Sequence, residues 1–591
     1  MDRDKIGKAA RSYISQESNE QFRAEVEALI ADAKWDELND RFYTDLEFGT
    51  GGLRGVIGGG YNRMNSFVVR RATQGLARYV VDHGVPGPDG KLAAVIAHDS
   101  RHFSDEFSLQ AALVLCAHGI RTYLFPTLRP TPELSFAVRK LGASTGIVVT
   151  ASHNPPKYNG YKVYWNDGSQ VVPPHDEGIT AEVRKVAGEI RSMKKEDAVA
   201  QGLLVYVDRE IDDAFAQAVR GSSLRPELVR ERGRDLKIVY TPLHGTGAAM
   251  VERVLGELGI QVRSVPEQRE PDGDFPTVEY PNPEEASALK MALDLGLKEK
   301  ADLVMGTDPD ADRLGIAVPE KGAGGFRLIT GNQLGVLLAD YMFLTRKELA
   351  TMPARPAFVK TIVTTELQRL VAEKYGVTCY DTLTGFKWIA QKIREFEAEK
   401  AGPTYVMGDE ESYGYLIGTY VRDKDAVTAA VLTAEMALYH VSRGKSVLDR
   451  LNEIYRELGF FQEDTISHYF PGQEGQTTMK KLMDTLRQDP PAVLGGAKVV
   501  EVRDYLVLTA VDIASGKKRT INGIPASNVL QFVLEGNSMV SCRPSGTEPK
   551  IKFYASVAGE PGADVDRSRI AVGERVARLS NEIKAIIGKL G

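Results

Sequence analysis

Short apolar strands alternate with helices along most of this 591-residue sequence. The alternation restarts near residues 236–240 and again near 357–363. Repeated β-α-β order favours mainly parallel sheets that are covered by helices. We therefore predict three successive α/β units. The strands and helices of the first unit are predicted at 93–97, 105–118, 121–125, 132–141 and 146–149.

The two ends of the chain differ from this pattern. Residues 1–45 have apolar side chains at helical spacing, and the last part reads as four strands and a helix at 570–587, which predicts a smaller α+β domain. A chain of this length is too long for one hydrophobic core. The fold class that we predict is α/β, with three similar domains that have mixed sheets and a smaller C-terminal α+β domain, after an N-terminal helical extension. The predicted bounds are 1–45, 46–225, 226–345, 346–460 and 461–591.

The composition excludes several classes of protein. The net charge of −6 argues against a surface for nucleic acid or membrane, since either needs a basic excess. Three widely spaced cysteines without a CxxC pair favour a reducing compartment, without disulfides or structural zinc. We see no apolar signal segment after Met1 and no apolar run near the roughly 18 residues that a membrane span needs. We therefore expect a cytoplasmic protein with a small-molecule partner.

The segment Thr150-Ala151-Ser152-His153-Asn154-Pro155 carries the first chemical signal. It follows the β-branched run at 146–149, which predicts a buried strand that ends at a loop with Ser152. Pro155 stops any regular continuation of the strand. A serine presented in this way is expected to be accessible and rigidly held, as a nucleophile or a phosphorylated residue requires. A plain turn with a solvated serine is the alternative.

Three aspartates at alternate positions carry the second signal. Asp308, Asp310 and Asp312 directly follow the apolar strand 303–305, and alternate side chains of an extended loop project to one side. Three carboxylates so close together require a divalent cation, and oxygen ligands suit Mg²⁺. An EF-hand loop is excluded, because its glycine position is Arg313 and its bidentate glutamate position is Pro319.

Charge counting connects these two segments. A phosphoserine carries about −1.5 to −2 charges, so with three aspartates and one Mg²⁺ the site would keep about −3. Nearby cations are therefore needed, and Arg313, His153 and Lys162 are the candidates. Surrounding positive charge would lower the pKa of Lys162 towards the range of a general base. The alternative is an exposed lysine on a strand.

Three further loops contain groups that could bind a sugar or a phosphate. The loop 408–414 offers adjacent carboxylates and a hydroxyl between glycines, although a helix cap is nearly as good an interpretation. Lys424 follows it. The run from Cys542 to Lys550 combines a guanidinium, hydroxyls and backbone amides, which is typical of an anion nest for a phosphate monoester. The glycine-rich loop 49–55 adds one arginine.

Two nucleotide-binding motifs do not fit the sequence. Gly245-Thr246-Gly247 lies between a strand and a helix, but the third glycine of a dinucleotide fingerprint is replaced by Met250. A P-loop would need a glycine where Tyr439 stands. The sequence therefore disfavours nucleotide binding.

Taken in this order, TASHNP, GTDPDADR and RPSGTEP resemble the α-D-phosphohexomutase superfamily, over nearly the whole chain from Gly49 to about Tyr554. The resemblance implies four domains around a central cleft, three of similar α/β topology and a smaller fourth. It implies an intramolecular phosphotransferase with a phosphoserine at Ser152. The implied Mg²⁺ ligands are a phosphoserine oxygen, Asp308, Asp310 and Asp312.

The resemblance also implies how a phosphosugar would bind and react. Phospho-Ser152 would phosphorylate the 6-hydroxyl of glucose 1-phosphate, and the glucose 1,6-bisphosphate would turn over before its 1-phosphoryl group returned to the serine. His153, Lys162 and Arg313 would assist at the reacting centre. The implied sugar and phosphate contacts are Arg54, Thr384, Glu410, Ser412, Lys424, Arg543, Ser545, Gly546 and Thr547.

The preferred sugar stays open at this stage. Glu410-Glu411-Ser412 resembles the glucose-type version of the loop, while the opening FGTGGLRG and the N-terminal helix resemble a branch that also contains phosphopentomutases. Phosphomannose and phosphopentose are therefore the alternatives to phosphoglucose. A phosphosugar-binding protein without turnover is a further alternative, although such a protein would need neither Ser152 nor the aspartates. We expect a monomer or a weak homodimer.

Overall fold

A computed structural model gives the fold of the chain. It describes residues 2–49, 51–320, 322, 324–470, 475–545 and 550–590. The chain divides into two compact units. The first contains Met1–Thr330, Ile393–Glu395 and Tyr413–Tyr439. The second contains Gly331–Lys392, Phe396–Ser412 and His440–Gly591.

The N-terminal extension is helical, as predicted. Its helices are α1 (Arg3–Gln16), α2 (Glu20–Ala31) and α3 (Trp35–Phe42). The Asp2 and Asn19 side chains cap the first two helices by accepting backbone N–H groups. Tyr13 and Phe22 are buried, and Tyr13 packs edge-on against Phe67 with a centroid distance of 5.9 Å. The extension therefore shares the core of the first α/β domain.

The first sheet has the strand order β1-β5-β4-β2-β3-β6. Its strands are β1 (Gly52–Val56), β2 (Ala93–His98), β3 (Arg121–Leu124), β4 (Thr145–Val149), β5 (Tyr158–Trp165) and β6 (Leu204–Tyr206). Strands β2, β3, β4 and β6 pair in parallel, whereas β5 is antiparallel to both β4 and β1. The accompanying helices are α4 (Ser66–His83), α5 (Ser104–Ala117), α6 (Thr131–Leu141), α7 (His175–Arg184), α8 (Lys195–Ala200) and α9 (Arg209–Arg220).

The second sheet has the order β11-β10-β9-β7-β8. Its strands are β7 (Lys237–Thr241), β8 (Gln261–Ser264), β9 (Leu303–Thr307), β10 (Leu314–Glu320) and β11 (Gly325–Ile329). Strand β7 is parallel to β8 and β9, while β10 is antiparallel to β9 and β11. Its helices are α10 (Pro226–Arg232), α11 (Gly247–Glu257), α12 (Pro266–Arg269) and α13 (Ala286–Glu299).

In the second unit, a third α/β domain contains β12 (Pro356–Thr361) paired in parallel with β13 (Thr378–Thr382) and β14 (Thr404–Glu410). Its helices are α14 (Gly331–Glu348), α15 (Leu367–Lys374) and α16 (Phe386–Ala398). Residues 413–439 belong instead to the first unit. They contain β15 (Gly414–Ile417) and most of α17 (Ala426–Val441).

The last domain is built on an antiparallel sheet of order β16-β23-β22-β21-β18-β19-β20, with β17 paired to β18. Helix α18 (Val447–Leu458) packs against α14 and α15 of the third domain, and the helices of the last domain are α19 (Gly475–Gln488) and α20 (Val565–Leu590). Its strands are β16 (Phe461–Tyr469), β17 (Val493–Leu494), β18 (Ala497–Asp504), β19 (Thr509–Asp512), β20 (Lys518–Thr520), β21 (Leu530–Leu534), β22 (Ser538–Pro544) and β23 (Lys550–Ala558).

The predicted fold class is confirmed: three α/β domains precede a β-rich C-terminal domain. The sheets of the first two domains are mixed, as the predicted fold class has it. The antiparallel strand β5 returns directly from the loop after β4, and a short return cannot form a parallel crossover. No helix in the described part of the chain is both long and apolar enough to span a bilayer.

Candidate active site

Ser152 lies in the loop that leaves the carboxyl end of β4. Its φ angle is +51°, a left-handed conformation that is uncommon for residues other than glycine. The Ser152 N–H donates to Thr150 Oγ1 at 2.8 Å. The side chain is rigidly held, as expected, but the residue is only 4% exposed, so the expectation of an accessible serine is wrong. Its hydroxyl turns inward, towards the aspartates of the second domain.

The guanidinium of Arg101 holds the backbone of the serine loop. Arg101 is 3% exposed and lies just after β2. Both of its terminal nitrogens donate to backbone carbonyls, and Nη2 donates to the Ser152 oxygen at 2.5 Å. One planar cation thereby fixes the course of the loop. The four carbonyls belong to Ser152, Asn154, Pro155 and Tyr158.

Asp99 completes this support from the same strand end. Its carboxylate accepts from the Thr150 hydroxyl at 2.6 Å and from the Ser104 hydroxyl at 3.0 Å. It also pairs with Arg101 at 3.2 Å, and both side chains are fully buried. A buried ion pair of this kind needs the additional hydrogen bonds that satisfy it. Because Thr150 in turn accepts the Ser152 N–H, Asp99 acts on the serine through one intermediate.

The three aspartates meet the serine in the first unit. The Ser152 hydroxyl donates to Asp308 Oδ2 at 2.7 Å. Asp308 Oδ1 accepts the backbone N–H groups of Asp312 and Arg313, at 3.1 and 3.0 Å. One potential ligand atom from each aspartate lies within 4.8 Å of the others, and all three residues are buried. The two segments that sequence analysis linked therefore come together.

The loop after β7 packs directly against the aspartate loop. Thr246 N–H donates to the Pro309 carbonyl at 2.8 Å. A Cβ on Gly245 would lie 2.3 Å from the Pro309 Cα, so only glycine allows the two backbones to approach this closely. The Gly245-Thr246-Gly247 segment, which resembles half of a nucleotide fingerprint, thus packs against the aspartate loop.

The electrostatics of the triad are unbalanced without a cation. Burial and the carboxylates of Asp310 and Asp312 raise the pKa of Asp308 well above its usual range. Burial would also raise the pKa of Asp310, but the ammonium of Lys162 overrides it and lowers that pKa. The two acids differ because the lysine contacts Asp310. Like charges at this spacing favour either protonation or a bound cation.

Two carboxylate oxygens of the triad are free to bind a metal. Asp310 Oδ1 and Asp312 Oδ1 are buried and have no hydrogen-bond partner within the residues that the structure describes. Unsatisfied buried carboxylate oxygens are costly. Oxygen-only ligands in a compact set match the preference of a hard divalent cation. The residues present therefore fit a divalent metal.

Lys162 lies on β5 beside these acids. Its ammonium donates to Asp310 Oδ2 at 2.8 Å and lies 3.4 Å from Asp312 Oδ2. Burial would lower the pKa of Lys162, but the two carboxylates raise it above its ordinary value. The expectation of a lowered pKa is wrong, because the nearest neighbours of Lys162 are anions and not cations. Lys162 serves as a cation of the site.

His153, Arg313 and Arg54 were also expected to assist at the site, and each has a different set of contacts. His153 Nδ1 lies 3.2 Å from the Ser152 hydroxyl. Burial and the charges of Arg313 and Arg54 lower the pKa of His153 to about 2, so its ring is neutral at pH 7 and is not a cation, contrary to expectation. The Arg313 guanidinium pairs with Glu284 at 2.5 Å, while its backbone N–H contacts Asp308. Arg54 donates to the Asn154 side chain at 3.3 Å.

Lys424 reaches the triad through the segment 413–439 of the first unit. Its ammonium lies 3.2 Å from Asp312 Oδ2 and 3.3 Å from Asp423 Oδ1. Asp423 Oδ2 accepts from the buried Tyr164 hydroxyl at 2.7 Å. The backbone N–H of Leu314 donates to the Tyr413 carbonyl at 3.0 Å, which attaches this segment to the aspartate loop. Lys424 therefore joins Lys162 as a cation beside Asp312.

The second unit contains the residues expected to bind the sugar. Glu410 is 5% exposed, and its Oε1 accepts the Gly385 N–H at 2.6 Å. The neighbouring Thr384 hydroxyl is buried and has no hydrogen-bond partner among the described residues. The Glu410 carboxylate therefore lies beside the Thr384-Gly385 segment. Ser412 is half-buried at the end of the loop that follows β14.

Two residues expected to bind the phosphate, Arg543 and Ser545, are among the described residues and belong to the second unit. Arg543 is at the end of β22, and the Ser545 N–H donates to the Lys550 carbonyl at 2.7 Å. Burial and the Glu411 carboxylate raise the pKa of Tyr554 to about 12, while Arg543 opposes them. Tyr554 is therefore close to residues of both loops. Gly546 and Thr547 lie outside the described residues.

A prediction concerns Asp409, a fully buried residue near the end of β14 and within the segment 408–414. Burial raises the pKa of Asp409 to about 8, and Gln368 Nε2 donates to its Oδ2 at 2.6 Å. An unfolded aspartate has a pKa of about 3.9, so the stabilisation that the raised pKa provides is complete below about pH 4, declines as pH rises and is lost above about pH 8. Asp409→Asn cannot titrate. We expect wild type to lose stability relative to this variant by up to about 1.4 kcal/mol per pH unit in that window.

Thermal and urea unfolding from pH 5 to pH 9 measures this difference. The control is Asp489→Asn, which changes an exposed aspartate of the same unit and should follow wild type at every pH. A constant difference between wild type and Asp409→Asn across the whole range would contradict the prediction.

Sequence reasoning missed Arg101 and Asp99, although a signal for them was present. Both residues directly follow β2, which is parallel to β4. Because the carboxyl ends of neighbouring parallel strands meet at one edge of a sheet, polar residues after β2 must lie close to the serine loop. The position of Lys424 beside the triad had no comparable signal.

Three family models match the chain and together cover more than half of it. They are described as phosphoglucomutase/phosphomannomutase, alpha/beta/alpha domains I, II and III, and they match residues 45–189, 213–322 and 330–458. The chain belongs to this family. The family lies within the α-D-phosphohexomutase superfamily, as the sequence motifs suggested.

Individual relatives agree with this family over most of their length. A phosphoglucomutase of Staphylococcus epidermidis is 36% identical over 526 residues, which is 88% of this chain and 92% of the relative. A Schizosaccharomyces pombe protein named "Probable phosphoribomutase" is 36% identical over 581 residues, 95% of this chain and 96% of the relative. A solved structure of the Paramecium phosphoprotein pp63/parafusin, a phosphoglucomutase in its open form, has a TM-score of 0.69 at 18% identity and covers 93% of this chain and 95% of its own.

The family and the site together establish the class of protein. The chain is a mutase of the phosphohexomutase type, an intramolecular phosphotransferase. Its buried aspartate triad is suited to a divalent metal. The similarity to pp63/parafusin concerns the fold alone.

Proposed function

We propose that this mutase interconverts α-D-glucose 1-phosphate and glucose 6-phosphate through a phosphoserine at Ser152. The observation that carries the proposal is the 2.7 Å hydrogen bond from the Ser152 hydroxyl to Asp308 of the buried triad. A serine that merely closed a turn would have no reason to face three buried carboxylates. A protein that only bound phosphosugars would need neither group.

The proposed metal is Mg²⁺, with Asp308, Asp310 and Asp312 as protein ligands and a phosphoserine oxygen as the fourth. When bound, Mg²⁺ would supply charge stabilisation to the transferring phosphoryl group. The chain itself contributes two ammonium groups, those of Lys162 and Lys424, which both lie against Asp312 Oδ2. These cations offset negative charge that one divalent ion cannot balance.

The proposed reaction has two phosphoryl transfers of opposite sense. In the first, the bond from phosphorus to Ser152 Oγ breaks, a bond to the sugar 6-oxygen forms, and the 6-hydroxyl proton is transferred to Ser152 Oγ. The glucose 1,6-bisphosphate then turns over; the bond from phosphorus to the sugar 1-oxygen breaks, a bond to Ser152 Oγ forms, and the Ser152 hydroxyl proton is transferred to the 1-oxygen. His153 Nδ1, 3.2 Å from Ser152 Oγ, is the candidate proton carrier, while Lys162 stays a cation beside Asp310. Positioning by Arg101 and Asp99 does much of the remaining work.

The proposal assigns the sugar and the non-reacting phosphate to the second unit. Glu410 supports the sugar role because it is buried beside Thr384, and Ser412 ends the same loop. Arg543 and Ser545 would hold the phosphate with Gly546 and Thr547. In the first unit, Arg54 and Arg313 would add anion contacts.

A phosphopentomutase is the second candidate. The relative named "Probable phosphoribomutase" covers 95% of this chain, against 88% for the Staphylococcus phosphoglucomutase at equal identity. The proposal favours glucose because Glu410, Glu411 and Ser412 form the glucose-type loop. Phosphomannose is a further alternative by the same mechanism. The cytoplasmic location, the monomer or weak homodimer and the domain bounds stay predictions.

A substrate comparison tests the proposal. The 1-phosphates of glucose, mannose, ribose and glucosamine are assayed side by side with Mg²⁺ and trace glucose 1,6-bisphosphate. We expect the highest kcat/KM for glucose 1-phosphate, by at least about tenfold over mannose 1-phosphate, because hydrogen bonds to sugar hydroxyls discriminate strongly. A preference for ribose 1-phosphate would instead identify a pentomutase. If the protein bound these sugar phosphates tightly but turned over none of the four, the proposed mutase activity would be refuted.

A further inference from the structure

Thr131 contacts the aspartate loop at two points. It is fully buried at the start of α6, in the first α/β domain. Its hydroxyl donates to Asp310 Oδ2 at 2.9 Å, and its backbone N–H donates to the Asp310 carbonyl, also at 2.9 Å. The same residue therefore holds both the backbone and the side chain of Asp310.

The segment before α6 keeps Thr131 in a fixed place. Pro130 and Pro132 restrict the backbone on either side of it. The Arg129 N–H donates to the His98 carbonyl at 3.0 Å, and its guanidinium pairs with Asp212 at 2.8 Å. Thr131 consequently cannot follow the aspartate loop if that loop shifts, and the loop has to adapt to Thr131.

The hydroxyl of Thr131 decides which oxygen of Asp310 is available. Asp310 Oδ2 accepts from Thr131 and, at 2.8 Å, from Lys162. The other oxygen, Oδ1, is buried and lacks a hydrogen-bond partner throughout the described ranges. With two donors on one oxygen, the carboxylate plane is fixed and the second oxygen stays aimed away from both donors. Such support of a carboxylate ligand commonly sets metal affinity.

Lys162 alone would not fix this orientation. Its ammonium is a flexible point charge that also lies 3.4 Å from Asp312 Oδ2, so it can move between the two acids. Within the described part of the chain, Thr131 donates to Asp310 and to neither of the other two aspartates, and its short β-branched side chain has few rotamers. The directional part of the support therefore comes from Thr131.

We propose that Thr131 is a positioning residue that presents Asp310 Oδ1 to the divalent metal. This inference rests on the proposed metal site. It predicts that the hydroxyl, and not the bulk of the side chain, sets the affinity for the metal. It also connects the first α/β domain to metal binding through a residue outside the motifs that identify the family.

Metal binding by the full chain tests this proposal without relying on turnover. Mn²⁺ is titrated by calorimetry and by electron paramagnetic resonance into wild type, Thr131→Val and Thr131→Ser, after intact mass has shown equal phosphorylation. We expect a Kd at least about tenfold weaker for Thr131→Val, which keeps the shape but loses the hydroxyl. We expect Thr131→Ser to stay within about twofold of wild type, since it retains the donor.

The matched control is Thr145→Val in the same domain. Thr145 is also fully buried, and its hydroxyl donates to the Tyr164 carbonyl at 2.7 Å, away from the aspartates. It should lower stability without changing the Kd for Mn²⁺. The rise in Tm that Mn²⁺ produces is measured for each variant as well, so that a destabilised Thr131→Val still gives an answer.

The outcomes separate this inference from the proposed metal site. Wild type that fails to bind Mn²⁺ would refute the site, and the inference with it. Wild type that binds while Thr131→Val keeps the same Kd and the same rise in Tm would refute the inference alone. Equal losses in Thr131→Ser and Thr131→Val would also refute it, because packing would then be responsible.

Discussion

Ser152→Ala is expected to reduce mutase turnover by at least about 10⁴-fold, because removal of a covalent nucleophile leaves only binding and electrostatic assistance. The variant keeps the fold. Alanine fits the space of serine, and the loop is held by Arg101 and Asp99 through groups other than the Ser152 hydroxyl. The measurement combines steady-state kinetics with intact mass. Wild type should show the additional mass of a phosphoryl group in part of the molecules, and Ser152→Ala should show none.

The control for this variant is Ser144→Ala. Ser144 is buried in the same domain, and its hydroxyl donates to the Val85 carbonyl at 2.7 Å, far along the chain from the aspartate loop. It should retain both turnover and the phosphate adduct. Normal turnover by Ser152→Ala, or an adduct that persists in it, would show that another residue is the nucleophile.

The central part of the site could be predicted because its signals are local. Ser152 and the three aspartates each follow an apolar strand, and this pattern predicts that they lie in loops at strand ends. The carboxyl ends of parallel strands bring such loops to one edge of a sheet. The structure adds the contact of 2.7 Å between Ser152 and Asp308, which no local pattern specifies. Repulsion among three neighbouring carboxylates is enough to predict a bound cation from the sequence alone.

The properties that depend on neighbours could not be predicted in the same way. The pKa of Lys162 was expected to fall, but it rises, because β5 places its ammonium against Asp310 and Asp312. His153 was expected to be a cation, yet burial beside two arginines keeps it neutral. Whether a pKa rises or falls depends on which charged groups face each other across different strands and helices. Sequence distance says little about that arrangement.

Some supporting residues were missed because their chemistry is common. Arg101 and Thr131 belong to residue types found in every sequence, and only their contacts distinguish them. Arg101 becomes informative once its guanidinium is found on four carbonyls of a single loop. Thr131 becomes informative once both its donors are found on Asp310. Residues of this kind act through a ligand or a nucleophile, and they carry no motif of their own.

Asp310→Asn is expected to reduce kcat by about 10³-fold or more in saturating Mg²⁺ while leaving Tm within a few degrees of wild type. The metal would lose an anionic ligand, and an amide binds a hard cation more weakly than a carboxylate does. The loss of stability should stay small, because the amide oxygen can still accept from Thr131 and Lys162, and Lys162 keeps the Asp312 carboxylate as a charged partner. Steady-state kinetics over a range of Mg²⁺ concentrations and thermal unfolding in EDTA measure the two effects.

A second buried aspartate should give the opposite pattern. Asp340 pairs with Arg450 at 2.7 Å in the second unit, outside the triad. Asp340→Asn breaks the two-point ion pair with that guanidinium, which keeps its contact with the more exposed Glu453 at 2.9 Å, so the substitution should lower Tm and leave kcat near that of wild type. If instead Asp310→Asn kept an unchanged kcat, or lost activity only in proportion to unfolding as Asp340→Asn would, then the triad would be a structural cluster. The crossed pattern, with activity lost at position 310 and stability lost at position 340, is the result that a metal held by Asp310 requires.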